Sequence, residues 1–210
     1  TCIRVGNEEY ARTNGSYGLT TMQDRHVRVR GSRVTFRFRA KSGVLQEVDL
    51  HDAALARSVK HCQDLPGQTL FQYVDAAGAR QVVDSGDVNQ YVREVTGQDF
   101  TAKDFRTWAG TVLAAMALCD LRLATTPSAR KRCVVQAVTD VAARLGNTRA
   151  VCRKCYIHPM VIDAFMDGVT IDVQNAPTRR TRASGRLSPG EAAVLGLLRR
   201  FSEPRVRRAA

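Results

Sequence analysis

Apolar and polar residues alternate cleanly in one early stretch of the chain. Val34, Phe36 and Phe38 alternate with Thr35, Arg37 and Arg39, the period of a strand with one face buried and one cationic face in water. His26–Arg30 precedes this stretch across Gly31-Ser32, and Ser42-Gly43 leads from it into Val44–Leu50. Such glycine–serine pairs form turns. The pattern predicts a three-stranded antiparallel meander with Lys41 at a hairpin tip. The whole of residues 1–50 is read as β-structure.

After residue 50 the period changes to that of a helix. Asp52 is placed to cap a helix running to Cys62, and Leu65–Gln68 reads as a loop. Gly86 to Thr96 reads as a short helix. Thr101 is expected to cap a longer one through Cys119, with Phe105, Val112, Leu113 and Met116 on its apolar side. Ser128 is expected to cap the next, where Val134, Val135, Val138, Val141, Ala142 and Leu145 recur at helical spacing. Gly146-Asn147 ends that helix. Thr148 to Asp167 is helical again, broken near Pro159. Residues 175–187 read as a linker, and Ser188-Pro189 starts a final helix to Phe201. The fold class is α+β and mainly helical, with a small N-terminal antiparallel three-stranded sheet. One domain over 1–210 is expected in three parts: a β-hairpin subregion (1–50), a helical core (51–174), and a basic linker with a C-terminal helix (175–210).

Composition narrows the function classes. Of the 210 residues 44% are hydrophobic, which suits a globular chain with a real core. No apolar run of about eighteen residues occurs, so no membrane helix is expected. No signal peptide is read, and the expected location is the cytoplasm. The chain opens on TCIRVGN without an initiator methionine, which reads as a fragment lacking an N-terminal part. The net charge of +12 favours a polyanionic partner. Residues 1–50 carry 9 basic and 5 acidic groups, and residues 179–210 carry 9 and 2. The two ends are therefore the candidate phosphate-facing surfaces. The six cysteines show no framework spacing, and Cys152 and Cys155 form a lone CxxC, so reduced thiols and no zinc site are expected.

Three stretches carry candidate chemistry. KDFRTWAGT puts Lys103 and Arg106 three apart on one helix face. LGNTRAVCRKCYIHP puts Tyr156 just after a helix–turn–helix junction, beside Arg153 and Lys154. The opening stretch TCIRVGNEEYARTNGSYGLTT holds Arg4 ahead of a glycine-rich turn region. Taken alone, the Lys103–Arg106 pair fits a solvated cationic stripe better than a site, and Tyr156 a packing tyrosine better than a nucleophile. His158 reads as a surface histidine.

Together these stretches resemble the type IB DNA topoisomerases, in their poxviral and bacterial branch. IRVGNEEY and GLTT, the lysine hairpin, the KDFRTW box and the LGNT…Y box follow one another in the family's order, and the nine-residue step from Asn147 to Tyr156 matches its spacing. The chain is similar, more weakly, to tyrosine recombinases, which share the fold. The resemblance implies a topoisomerase IB catalytic domain with Tyr156 as nucleophile. It implies Arg4 and Arg106 as the two catalytic arginines, Lys41 as the hairpin lysine, and Lys103 as the basic residue three before Arg106. Asn147 stands where poxviral members have histidine, which keeps a hydrogen-bond donor and removes proton chemistry there. The resemblance also implies a small N-terminal clamp domain, which is expected to be absent from this chain.

The chemistry agrees with these assignments. Arginine forks suit non-bridging phosphate oxygens, and an amide adds a neutral donor. The leaving hydroxyl needs a proton, which lysine can give and arginine cannot. With 27 arginines and only 5 lysines, a lysine at the hairpin tip and another in the KDFR box suggest that an ammonium proton is wanted. The resemblance implies relaxation of supercoiled double-stranded DNA by a monomer without ATP, metal or other cofactor, and the lack of a Walker-A loop and of an acidic cluster for two metals fits it. The alternatives are a tyrosine site-specific recombinase and a non-catalytic DNA-binding module of the same fold.

Overall fold

The computed structural model describes residues 1–175 and 187–202. The chain forms two compact units, one spanning Thr1–Asp104 and the other starting at Phe105. Each holds its own apolar core.

The first unit is built on the expected meander. Strands β1 (Val27–Arg30), β2 (Arg33–Arg39) and β3 (Leu45–His51) form one antiparallel sheet in the order β1-β2-β3. Val34, Phe36 and Phe38 are buried with Met22, Val59 and Leu70, while the arginines between them face outward. Helix α2 (Ala53–Gln63) closes this core, and Asp52 caps it by accepting from Ala54 N and Leu55 N.

Three findings in this unit depart from the sequence reading. A helix, α1 (Glu8–Asn14), lies where only β-structure is expected. Asn7 caps it, Glu8 and Glu9 occupy its first turn, and none of its residues is buried. It carries no apolar stripe for periodicity to detect. A hairpin of β4 (Gln72–Val74) and β5 (Arg80–Val82) lies inside the segment 51–174 read as helical. Its strands are three residues each, too short to show a period. Helix α3 (Ser85–Thr96) starts one residue before Gly86, because Asp84 and Asp87 each accept the other's backbone N–H, a reciprocal cap.

The second unit is helical: α4 (Ala102–Asp120, entered from the end of the first unit), α5 (Pro127–Leu145), α6 (Arg149–Cys155), α7 (Pro159–Met166) and α8 (Pro189–Ser202). The cap of α5 is Thr126, not Ser128; its side chain accepts from Ala129 N, and Pro127 takes the first helical position, where a missing N–H costs nothing. The buried face of α4 also differs from expectation. Phe105 is exposed, and Val112, Leu113 and Met116 are only half-buried. Arg106, Gly110, Thr111, Ala114, Ala115 and Leu118 are the buried residues. Small side chains let neighbouring backbone approach closely, so the packed side is not the bulky one. Trp108 Nε1 donates to Glu191 Oε1 at 3.1 Å, tying α4 to α8. The break near Pro159 falls between α6 and α7, as expected. The linker 176–186 and the arginines beyond Ser202 lie outside the described residues.

One titration should be visible in stability. His26 Nδ1 accepts from Gln23 N at 3.1 Å, and its ring lies 4.4 Å from that of Tyr17. Burial, and then the Arg25 charge, hold the imidazole below its ordinary value of 6.5. The unfolded chain therefore takes up a proton at higher pH than the folded one. This stability is fully present above about pH 6.5 and is lost as pH falls through the folded value. Replacing His26 by Gln removes the titration. The stability advantage of the parent over His26→Gln, read by urea denaturation, should shrink between about pH 7.5 and about pH 5; a constant difference would exclude His26 as its source.

Candidate active site

The first unit holds Arg4 and Lys41 on neighbouring segments. Leu19 N donates to Arg4 O at 2.8 Å, and Tyr17 N donates to Arg39 O at 2.8 Å, so the short stretch 17–19 joins the arginine to the end of β2. Thr20 adds N–H and hydroxyl donors to Val5 O. Gly18 makes this approach possible. A Cβ there would stand 2.5 Å from Gly6 Cα and 2.7 Å from Arg4 O.

Lys41 is at the hairpin tip as expected. Ala40 N donates to Val44 O at 2.8 Å, closing a tight turn in which Ser42 has a φ of 64°. The Lys41 Nζ lies 5.2 Å from the Tyr10 ring of α1, within the reach of a cation–π contact.

The outer face of the sheet is cationic. Arg25, Arg28, Arg30, Arg33 and Arg37 line one groove with His26, Thr35 and Glu47. Arg30 is directly opposite Arg33 in the ladder, a pairing of like charges that weakens a sheet. Arg33 is offset by Asp49 at 2.8 Å, which the Arg33 and Thr35 hydrogen bonds hold down to about 2.

The second unit brings three of the expected residues to one place. Arg106 is buried, at 6% exposure, on the inner face of α4. Its Nη2 donates to Leu145 O at 2.9 Å, the last residue of α5. Its guanidinium carbon lies 5.1 Å from the centre of the Tyr156 ring. Gly146 ends α5 with a φ of 61°, and Gly146 N and Asn147 N donate back to Ala143 O and Ala142 O. This is the double closure typical of a left-handed helix end, and it fixes the backbone of Asn147. Thr148 then caps α6, whose end is Tyr156. Lys103 sits near the start of α4, three residues before Arg106.

Sequence reasoning missed the residues that hold Tyr156. Thr107 Oγ1 donates to Cys155 O at 3.4 Å, and Thr111 Oγ1 accepts from His158 N at 3.1 Å. Gly110 lies between them, against the Tyr156 carbonyl. A glycine in mid-helix is the available signal, because it costs about 0.8–1.0 kcal/mol relative to alanine and so suggests a close contact. Cys152, on the inner side of α6, is fully buried; burial pushes its thiol up, and the Arg106 charge pulls it back. Cys155 is exposed, and all six cysteines are free thiols. Among the described residues no group of three metal-binding side chains is found, and no helix is long and apolar enough to cross a membrane.

Eight helices among the described residues and a small antiparallel sheet make this an α+β protein of mainly helical build. The family model of the eukaryotic DNA topoisomerase I catalytic core matches residues 1–179, and the chain belongs to that family. A DNA topoisomerase 1B of Acanthamoeba polyphaga mimivirus is 31% identical over 172 residues, covering 79% of this chain and 51% of the viral protein. The chain thus spans about half the length of the curated relative it matches.

The seat of Arg4 can be tested by overpacking it. Gly18→Ala should lower unfolding free energy by about 1–3 kcal/mol, since backbone rather than a movable side chain meets the new methyl. An unchanged denaturation midpoint would remove Gly18 from the support of Arg4.

Proposed function

We propose that this chain relaxes supercoiled DNA by cutting and resealing one strand, with Tyr156 as nucleophile. The observation that carries this reading is the placement of Arg106 over the Tyr156 ring while the same guanidinium is bonded to the helix end that leads into Asn147. A charge donor, a neutral donor and a hydroxyl nucleophile thus share one corner of the second unit. Family membership adds DNA as the partner.

In the proposed reaction the Tyr156 hydroxyl attacks phosphorus and releases its proton to water. The P–O bond to the 5′ carbon side breaks, leaving a 3′-phosphotyrosyl link and a 5′ hydroxyl. Arg4 and Arg106 donate to the non-bridging oxygens, and Asn147 adds a third donor. One such preorganised donor is worth about 2.7–4 kcal/mol in the transition state. Lys41 supplies the proton to the departing oxygen, with Lys103 as the second candidate. The 5′ hydroxyl then attacks the phosphotyrosine, giving its proton back to the lysine, and the P–O bond to Tyr156 breaks; the phenolate takes a proton from water, so the sum of bonds is unchanged. Torsion stored in the DNA drives rotation in between, so neither ATP nor a metal ion is consumed. The arginine face of the sheet suits phosphate backbone, and its binding should weaken steeply with salt.

The direct test is relaxation of a negatively supercoiled plasmid in chelator without ATP, quenched with denaturant to trap protein on DNA. The parent should give relaxed topoisomers and an adduct on Tyr156. Tyr156→Phe should bind DNA with parental affinity and form no adduct, because only the attacking oxygen is lost. Adduct formation by the Phe variant would move the nucleophile to another residue.

Lys41→Ala should cleave ordinary DNA poorly and recover on DNA whose bridging 5′ oxygen is replaced by sulfur, because a thiolate leaves without a proton. Equal defects on both substrates would restrict Lys41 to holding charge or position. Lys103→Ala in the same pair of assays shows whether the two lysines share the task.

A further inference from the structure

The segment that carries Tyr156 is not held by its own helix. Helix α6 is seven residues long, and Tyr156 already leaves helical geometry, with φ −129° and ψ −2°. Within its own segment, its backbone N–H reaches back to Cys152 O at 3.0 Å. The other supports come from α4. A Cβ at position 110 would stand 2.4 Å from the Tyr156 carbonyl oxygen, 3.3 Å from its carbonyl carbon and 3.2 Å from Leu145 Cδ1. No rotamer relieves a clash with backbone, so any side chain at 110 must push the Tyr156 peptide away. On either side, Thr107 Oγ1 donates to Cys155 O and Thr111 Oγ1 accepts from His158 N. Thr111 is 2% exposed and its hydroxyl also donates to Thr107 O at 2.8 Å, which fixes its rotamer.

The spacing gives these contacts a use. Arg106 and Gly110 are four residues apart on α4 and therefore share one face, a turn apart. The group that touches the Tyr156 ring and the surface that seats the Tyr156 backbone belong to one rigid helix. We infer that Gly110 and Thr111 are positioning residues for the nucleophile: they set the height of Tyr156 above the Arg106 guanidinium. The inference rests on the proposed role of Tyr156. A displacement of about 1 Å at a reacting group can cost about 100-fold in rate, so a one-methyl change at 110 should act on chemistry and leave binding alone.

The test is single-turnover cleavage of a duplex by the full chain, with DNA affinity and thermal unfolding measured beside it. Gly110→Ala should slow adduct formation by about 100-fold at unchanged DNA affinity. The same loss should persist on DNA with a bridging 5′ sulfur, since the attacking group and not the leaving group is displaced. Thr111→Ser keeps the hydroxyl and should cleave like the parent; Thr111→Val should lose about tenfold, the value of one hydrogen bond. This pair carries the test alone if Gly110→Ala does not fold. Parental rates in Gly110→Ala, equal rates in the two Thr111 variants, or a defect seen only in affinity would each overturn the positioning role while leaving Tyr156 as nucleophile. Absence of any Tyr156 adduct in the parent would overturn the proposed function and this inference together.

Discussion

A guanidinium taken out of water has to be answered by acceptors, because an uncompensated buried charge costs several kcal/mol. Arg106 is in that position, and its answer is the carbonyl of Leu145. That carbonyl has a need of its own. The last carbonyls of a helix have no partner further along the helix, and they form the negative end of its dipole. One hydrogen bond therefore meets two deficits, and it can do so only if α4 lies against the end of α5. The position of that end decides where Asn147 falls, where α6 begins and where Tyr156 stops. The whole corner follows from the demand of one side chain.

The first unit solves its problem differently. Arg4 and Lys41 lie in the first unit on segments with little regular structure, and close backbone approach does the holding. Gly6 and Gly18 meet without side chains, and the stretch from Tyr17 to Thr20 hydrogen-bonds to Arg39 on one side and to Arg4 and Val5 on the other. The His26 ring, 4.4 Å from that of Tyr17, extends that support toward β1. Loop-borne cationic groups are thus held through backbone contacts.

What the sequence made legible was whatever repeats. The alternation of Val34, Phe36 and Phe38 found the sheet and its tip, and the valine spacing found α5. The end of α5 was legible because Gly146 is a local signal of a left-handed turn. Helix α1 was not, since a helix with no buried face leaves only a cap and two acidic residues as evidence. The buried side of α4 was misassigned for a related reason. Bulky residues predict the core side, yet Gly110, Thr111, Ala114 and Ala115 are buried, with the Tyr156 backbone close against Gly110. Close approach between distant segments has no period along the chain. The candidate site residues are suggested by motif order, while Thr107 and Thr111, which hydrogen-bond to backbone atoms, carry no such mark.

The seating of Tyr156 has a mechanical meaning. On the proposed mechanism this residue becomes the anchor of a DNA end that swivels, and any drag on the DNA is felt as tension along the phenol and into the main chain. A two-turn helix is a weak tether, because helices so short are marginal without tertiary support. Here the pull is passed sideways into α4, 19 residues long. The pull is carried by the hydrogen bonds of the Thr107 and Thr111 hydroxyls to Cys155 O and His158 N, while the contact at Gly110 blocks movement toward α4. On the proposed mechanism such a brace is a fixed axle: the DNA turns while the protein end of the covalent joint stays still.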